Sequence, residues 1–277
     1  MVKGLKFWKM HGLGNDYVVV NDMDKSLDNL NVSEFAKTVC QRKFSVGADG
    51  LILACPSKVA DVKMRIFNAD GSEAEMCGNG IRCLAKFCYE NHIVSKKAFN
   101  IETLAGIKHV WLSWNGEVKT VKVDMGEPSF DRKGIPLIGE GKCINEDLKI
   151  DGEAYKITCI SVGNPHCVIL VDNVASFPVE RIGPKIENHK MFPKRVNVEF
   201  VQILNAEEIT VRVWERGVGE TLACGTGACA SVVACHVLGK TGKNVKVHLP
   251  GGTMRILYDG KIFMEGPATK VFAGELF

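Results

Sequence analysis

The sequence has no apolar run near the roughly 20 residues that a membrane-spanning helix requires. It also has no pair of cysteines at the C-x-x-C spacing of a zinc ribbon or redox motif. An excess of one charge is missing too: 35 Lys and Arg against 32 Asp and Glu leave +3 over 277 residues. That balance excludes nucleic-acid binding by charge alone. The opening stretch, Met1-Val2-Lys3-Gly4-Leu5-Lys6-Phe7-Trp8-Lys9, scatters charge where a secretory leader would run apolar. Prolines are few, 9 against 28 glycines, which points to many tight turns. With 46% hydrophobic and 24% charged residues the chain falls in the globular range, long enough for one large domain or two ordinary ones. The expectation is a soluble, cytoplasmic protein with no nucleic-acid and no membrane partner.

Cysteine is plentiful. There are eleven, an odd number, and without a secretion signal a disulfide framework is not expected. Free cysteine usually behaves as a small buried hydrophobe, and Cys83, Cys88, Cys229 and Cys235 fit that reading, at or beside apolar helical stripes. Cys77, Cys83, Cys88 and His92 are separated by five, four and three residues, which matches no standard zinc site. No metal is expected.

The secondary-structure pattern is mixed. Strands are expected at Leu5–Met10 and Tyr17–Val20 around a glycine turn, then at 50–54, 62–67, 155–162, 167–171, 209–214, 245–249, 253–258 and 261–265. Asn115-Gly116 marks a hairpin within 110–123. Ser33 is expected to cap a short helix over 34–41. Clear helices are expected over 80–92 and 227–238, one in each half. Gly126-Glu127-Pro128 and Lys133-Gly134-Ile135-Pro136 read as a linker. Many short strands with one clear helix per half give an α+β class.

The two halves also resemble each other. A shift of 147 residues lays Cys77-Gly78-Asn79-Gly80 on Cys224-Gly225-Thr226-Gly227, Arg65 on Arg212, Glu73 on Glu220 and Cys88 on Cys235. Gly14-Asn15 falls near Gly163-Asn164 with a slip of two. In each half a strand leads through a glycine-bearing loop to a cysteine at a helix start. Backbone N–H groups and the positive end of the helix dipole favour a thiolate there, drawing a thiol from about 8.5 toward 7 or below. The glycines let the backbone cradle an anion such as a carboxylate. Two such thiols facing each other across an interdomain cleft would approach one carbon from opposite sides. One would take a proton and the other give one, inverting an acidic centre such as an amino-acid α-carbon.

Longer segments carry a more specific signal. They are Met10-His11-Gly12-Leu13-Gly14-Asn15-Asp16, Phe67–Ser72 running into Cys77–Cys83, Gly163-Asn164-Pro165-His166-Cys167, Arg195-Val196-Asn197, Glu215–Glu220 running into Ala223–Cys229, and Pro250-Gly251-Gly252. Over essentially its whole length the chain resembles the diaminopimelate epimerase family. The resemblance implies two pseudo-symmetric, strand-rich, barrel-like domains, each around a central helix. The first would span 1–125 plus 268–277 and carry Cys77; the second would span 126–267 and carry Cys224. It implies cofactor-independent interconversion of LL- and meso-diaminopimelate, a small-molecule substrate, in lysine biosynthesis, and a homodimer. Cys77 and Cys224 would be the acid/base thiols, with His166 and Glu215 assisting. Asn15, Asn68, Asn164, Asn197, Glu215 and Arg216 would contact substrate, and the backbone at Gly78-Asn79 and Gly225-Thr226 would hold carboxylate. Some members carry glutamine where this chain has Gly50, so that side-chain contact does not transfer. Two other readings stand beside this one: a related two-cysteine racemase of another amino acid, and a non-enzymatic thiol redox or binding protein.

Overall fold

The computed structural model describes residues 3–277. Its contacts divide into two compact units, one running to Asp124 and resuming over Glu265–Phe277, the other spanning Met125–Met264.

The first unit opens with an antiparallel pair, β1 (Lys6–Gly12) and β2 (Asn15–Asn21). The hairpin is tighter than the sequence suggests. His11, Gly12, Asn15 and Asp16, expected in a loop, are strand residues, and only Leu13 and Gly14, both at positive φ, make the turn. This places Asn15 and Tyr17 on a rigid strand. After α1 (Val32–Cys40), β3 (Gly50–Cys55) returns parallel to β2, and β4 (Val62–Asn68) pairs antiparallel with it. Ser33 does not cap α1. Asn31 does, accepting from the Glu34 N–H, because the Ser33 hydroxyl donates to the Gly71 carbonyl instead. The short β5 (Glu73–Ala74) then leads to α2 (Gly78–Glu90), and β6 (Ala98–Thr103), β7 (Gly106–Trp114) and β8 (Val118–Gly126) follow. β7 and β8 form the hairpin around Asn115-Gly116.

α2 is enclosed. Ile81, Cys83, Leu84, Ala85 and Cys88 have no solvent exposure, and the helix packs on β1, β2, β3, β4 and β7. Removing a large apolar side chain from water contributes about 1.5–3 kcal/mol. A helix buried around most of its circumference is therefore held by the sheet rather than by its own propensity.

The second unit repeats this order. β9 (Glu146–Ile150) precedes β10 (Glu153–Ser161) and β11 (Pro165–Leu170), which are antiparallel. α3 (Val179–Glu187) connects to β12 (Asn197–Asn205), parallel to β11, and β13 (Glu208–Glu215) pairs antiparallel with it. β14 (Gly219–Thr221) leads to α4 (Gly225–Val237), and β15 (Asn244–Leu249) and β16 (Gly252–Asp259) follow. β17 (Lys261–Pro267) and β18 (Thr269–Glu275) end the chain, with β18 antiparallel to β1. In both units a parallel pair brackets the short helix, and a second parallel pair, β4 with β6 and β13 with β15, spans the buried helix.

α1 answers to the short helix expected over 34–41, whereas α3 has no counterpart among the expected helices. In α3 the dipeptide Gly183-Pro184 looks like a breaker, yet it lies inside the helix. A Cβ on Gly183 would fall 2.6 Å from Trp214 Cγ, so only glycine lets the helix lie against that ring. The expected linker is also structured: Ile135 and Leu137 are buried in the second unit's core, and Arg132 reaches the Ile138 carbonyl and Glu146. The apolar side chains anchor the segment that its glycines and prolines would leave loose.

Candidate active site

Cys77 is the N-cap residue of α2, with extended backbone at φ −136° and ψ 126°. Its carbonyl accepts the first helical bond from the Ile81 N–H, so the N–H groups of the first turn lie outside the helix's own hydrogen-bond ladder. The thiol is partly exposed. Its Sγ lies 2.9 Å from the Tyr17 hydroxyl and 3.6 Å from Asn15 Oδ1. Asn15 Oδ1 also accepts from the Tyr17 hydroxyl at 2.5 Å and from Asn79 Nδ2 at 3.3 Å. Asn15 Nδ2 donates to Asp49 at 2.9 Å, so the amide is fixed at both ends. Arg82, fully buried, donates to Asn79 Oδ1 and to the Gly78 carbonyl, both at 2.9 Å. Behind this, Lys9, Asp16, Arg42 and Asp49 form a charge network. Burial pushes the Asp16 carboxyl up, but Arg42 and Lys9 outweigh it and hold the group at about 2.

Cys224 is the N-cap of α4, with nearly the same backbone, φ −112° and ψ 115°. Its Sγ accepts from the Gly227 N–H at 3.4 Å and lies 3.5 Å from Thr226 Oγ1. Here the thiol is buried. Burial, then the charges of Glu215 and Glu199, push it well above the ordinary cysteine range. This overturns the expectation of a lowered value at Cys224, because desolvation and two carboxylates exceed what one helix start supplies. Glu215 ends β13, bonded to the Thr221 hydroxyl at 2.5 Å and to Cys224. Burial pushes its carboxyl up as well.

His166 and Glu199 have no solvent exposure. His166 Nδ1 faces Glu199 Oε1 at 2.6 Å, and Nε2 faces Asn164 Oδ1 at 2.9 Å. Asn164 Nδ2 continues the chain of contacts to Thr226 Oγ1 at 3.2 Å, one residue past Gly225 at the start of α4. Asn197 donates to the Pro165 carbonyl and accepts from the Arg216 N–H.

The geometry therefore gathers Asn15, Cys77, Gly78 and Asn79 at one helix start, and Asn164, His166, Glu215, Cys224, Gly225 and Thr226 at the other. Asn197 and the Arg216 backbone adjoin the second group, while the Arg216 side chain is exposed. Asn68 stands apart: it is exposed at the end of β4, with its amide on the Ser72 hydroxyl at 2.9 Å. Cys83 and Cys235 are buried and pushed up to about 12, and Cys88 is raised likewise, each chiefly by burial. Among the described residues no three His, Cys, Asp or Glu side chains are grouped as metal ligands. Two residues escaped sequence reasoning. Glu199 had one available signal, an acidic residue flanked by the apolar Val198, Phe200 and Val201. Tyr17 had none, since an aromatic residue in a strand reads as core.

Comparison with known proteins sets these residues in context. The sequence model of diaminopimelate epimerase matches residues 7–131 and 158–271. The chain belongs to the diaminopimelate epimerase family. Diaminopimelate epimerases from Moorella thermoacetica and Pelotomaculum thermopropionicum are 49% and 51% identical to it, over 98% of this chain and 99% and 98% of theirs. The protein is accordingly an isomerase. The same fold occurs in a Bacillus anthracis phenazine biosynthesis protein of the PhzF family (TM-score 0.71, 18% identity, 100% of both chains). It recurs in a probable proline racemase from Agrobacterium radiobacter, crystallised with carbonate (TM-score 0.72, 15% identity, 99% of this chain and 93% of that one). These likenesses establish the two-domain α+β fold that the family resemblance implies.

Proposed function

We propose that this enzyme interconverts LL- and meso-diaminopimelate without a cofactor, using Cys77 and Cys224 as its two acid/base groups. The observation that carries the reading is the repeated helix start. Within a family whose members match along nearly the whole chain, each half places a cysteine at the N-cap of a buried helix, with a glycine as the first helical residue. Each helix start offers backbone N–H donors to a carboxylate. The same donors stabilise the negative charge that builds when the α-proton leaves.

In the reaction one thiolate removes the α-proton, the C–H electron pair remains on the α-carbon and its carboxylate, and the opposite thiol delivers its proton to the other face. One S–H is formed and one is consumed, so the protein ends with the roles of its sulfurs exchanged. Burial and the adjacent carboxylates keep Cys224 protonated at rest. Cys224 is thus the resting donor, and Cys77 is the base in that direction. Glu215 and the His166–Glu199 pair border the Cys224 side and move protons to and from that sulfur. Asn15, Asn68, Asn164, Asn197 and Arg216 contact the substrate. The enzyme serves lysine biosynthesis as a cytoplasmic homodimer in this reading.

The test is α-proton exchange in D2O with each diaminopimelate stereoisomer, and with proline as a control. Deuterium uptake coupled to epimerisation of diaminopimelate, without uptake into proline, is the expected outcome. Preferential turnover of proline would replace this substrate with that of a related racemase, and no uptake into any amino acid would leave a binding or redox role.

A further inference from the structure

Tyr17 lies on β2 directly opposite Gly50 of the parallel β3. A Cβ on Gly50 would fall 2.6 Å from the Phe67 carbonyl oxygen and 3.2 Å from Tyr17 Cε1. Glycine at this position leaves room for the tyrosine ring to lie over the strand, as an aromatic residue commonly covers a cross-strand glycine. The ring is buried, and its hydroxyl ends between two groups of the proposed site: Cys77 Sγ at 2.9 Å and Asn15 Oδ1 at 2.5 Å. A phenol has one proton to give and can also accept. With Cys77 as a thiol, its S–H donates to the phenol oxygen and the phenol proton goes to Asn15. With Cys77 as a thiolate, the phenol proton turns to the sulfur. Asn15 Oδ1 is not stranded by that turn, because Asn79 Nδ2 still donates to it. Burial and then the Cys77 charge push the phenol well above its ordinary value, so it remains a donor throughout.

We propose that Tyr17 is a positioning residue for Cys77: its hydroxyl holds the sulfur on the substrate-facing side of the helix start and follows its ionisation by reorienting a single hydrogen bond between Asn15 and Cys77. The proposal rests on the reading of Cys77 as an acid/base thiol. No covalent bond to Tyr17 forms, and its proton stays on oxygen. Among the described residues the polar neighbours of the Cys224 sulfur include Thr226, Glu215 and the Gly227 N–H, with no phenol among them.

The experiment is Tyr17→Phe in the full-length protein, made in the wild type and in Cys77→Ala and Cys224→Ala. Phenylalanine keeps the ring over Gly50, and the thermal midpoint reports whether it does. A hydrogen bond to a charged group corresponds to roughly tenfold or more in rate, so kcat should fall about that much with KM within about twofold. Residual α-proton exchange by Cys224→Ala, which retains only Cys77, should fall by a similar factor, and that of Cys77→Ala should not. Unchanged kcat in Tyr17→Phe beside an inactive Cys77→Ala overturns the role of Tyr17 alone. So does equal slowing in both single-thiol backgrounds, which is what general loosening of the fold would give. Near-normal epimerisation by Cys77→Ala overturns the two-thiol reading, and the role of Tyr17 with it.

Discussion

Cys77 and Cys224 share a backbone and little else. Both are N-cap residues with extended φ and ψ, each followed by a glycine and a buried helix of 13 residues. Around Cys77 the contacts are neutral: a phenol, an amide oxygen and partial access to solvent, with the carboxylates of Asp16 and Asp49 drawn off to Arg42 and, for Asp16, Lys9. Around Cys224 the sulfur is buried beside Glu215 and within the field of Glu199. The helix start is a fixed, modest contribution to thiol acidity. Burial and neighbouring charge are larger and differ between the halves. One backbone device thus sits in two unlike surroundings, one thiol partly exposed among neutral groups and the other buried and raised by adjacent carboxylates.

The largest expected effect tests whether the difference is functional. Cys77→Ala and Cys224→Ala should each lose epimerisation by at least the roughly 10²–10⁴-fold typical of acid–base groups. Each should still exchange the α-proton of one isomer, and the two should prefer opposite isomers, read by mass spectrometry after incubation in D2O. Exchange of the same isomer by both variants would break the comparison and leave a single base serving both faces.

Next comes the buried His166–Glu199 contact on the Cys224 side. Glu199→Ala removes the partner of a fully buried histidine. Leaving a buried hydrogen-bonding group without its partner costs about 1–3 kcal/mol, to be seen in denaturant unfolding. A loss below about 1 kcal/mol would mean that water replaces the carboxylate without penalty.

Alkylation sharpens the contrast directly. Iodoacetamide at neutral pH should modify the partly exposed Cys77 at least about tenfold faster than Cys224, since thiolate population and access both control the rate. Glu215→Gln removes a charge that raises Cys224, lowers that group's titration and should narrow the gap. Peptide mapping that shows Cys224 reacting first would reverse the assignment of resting donor.

The smallest effect concerns the network that keeps charge away from Cys77. Asp16 is held at about 2 against an ordinary 3.8. A depressed carboxyl contributes stability above its unfolded value and loses it as pH falls toward the folded one, so the contribution is full above about pH 5 and fades between there and pH 2. The shift corresponds to about 2 kcal/mol. Asp16→Asn should cost that much at pH 7 and little near pH 2, measured by urea unfolding at both. A penalty independent of pH would assign the effect to packing.

Much of this was legible in the residues. The strand alternation, the Asn115-Gly116 hairpin, the two buried helices and the cysteines at their starts follow from patterns within a dozen residues. α3 was not legible because Gly183-Pro184 carries a local signal for a break, and the reason it does not break is Trp214, thirty residues on. Ile135 was read as linker for the same reason, its partners in the core being remote.

Local sequence was sufficient for the two cysteine caps, the Asn115-Gly116 turn and the repeat, because these are interactions among neighbours along the chain; it was not for the cap of α1, where Ser33 is drawn to the remote Gly71 carbonyl and Asn31 caps instead. The proton affinities were left to the folded state. Cys224 is raised by burial and by carboxylates on β12 and β13, and Cys77 meets a phenol from β2, sixty residues away. Electrostatic energy depends on distance through space and on exclusion of water, and neither is set until the strands have brought those side chains together.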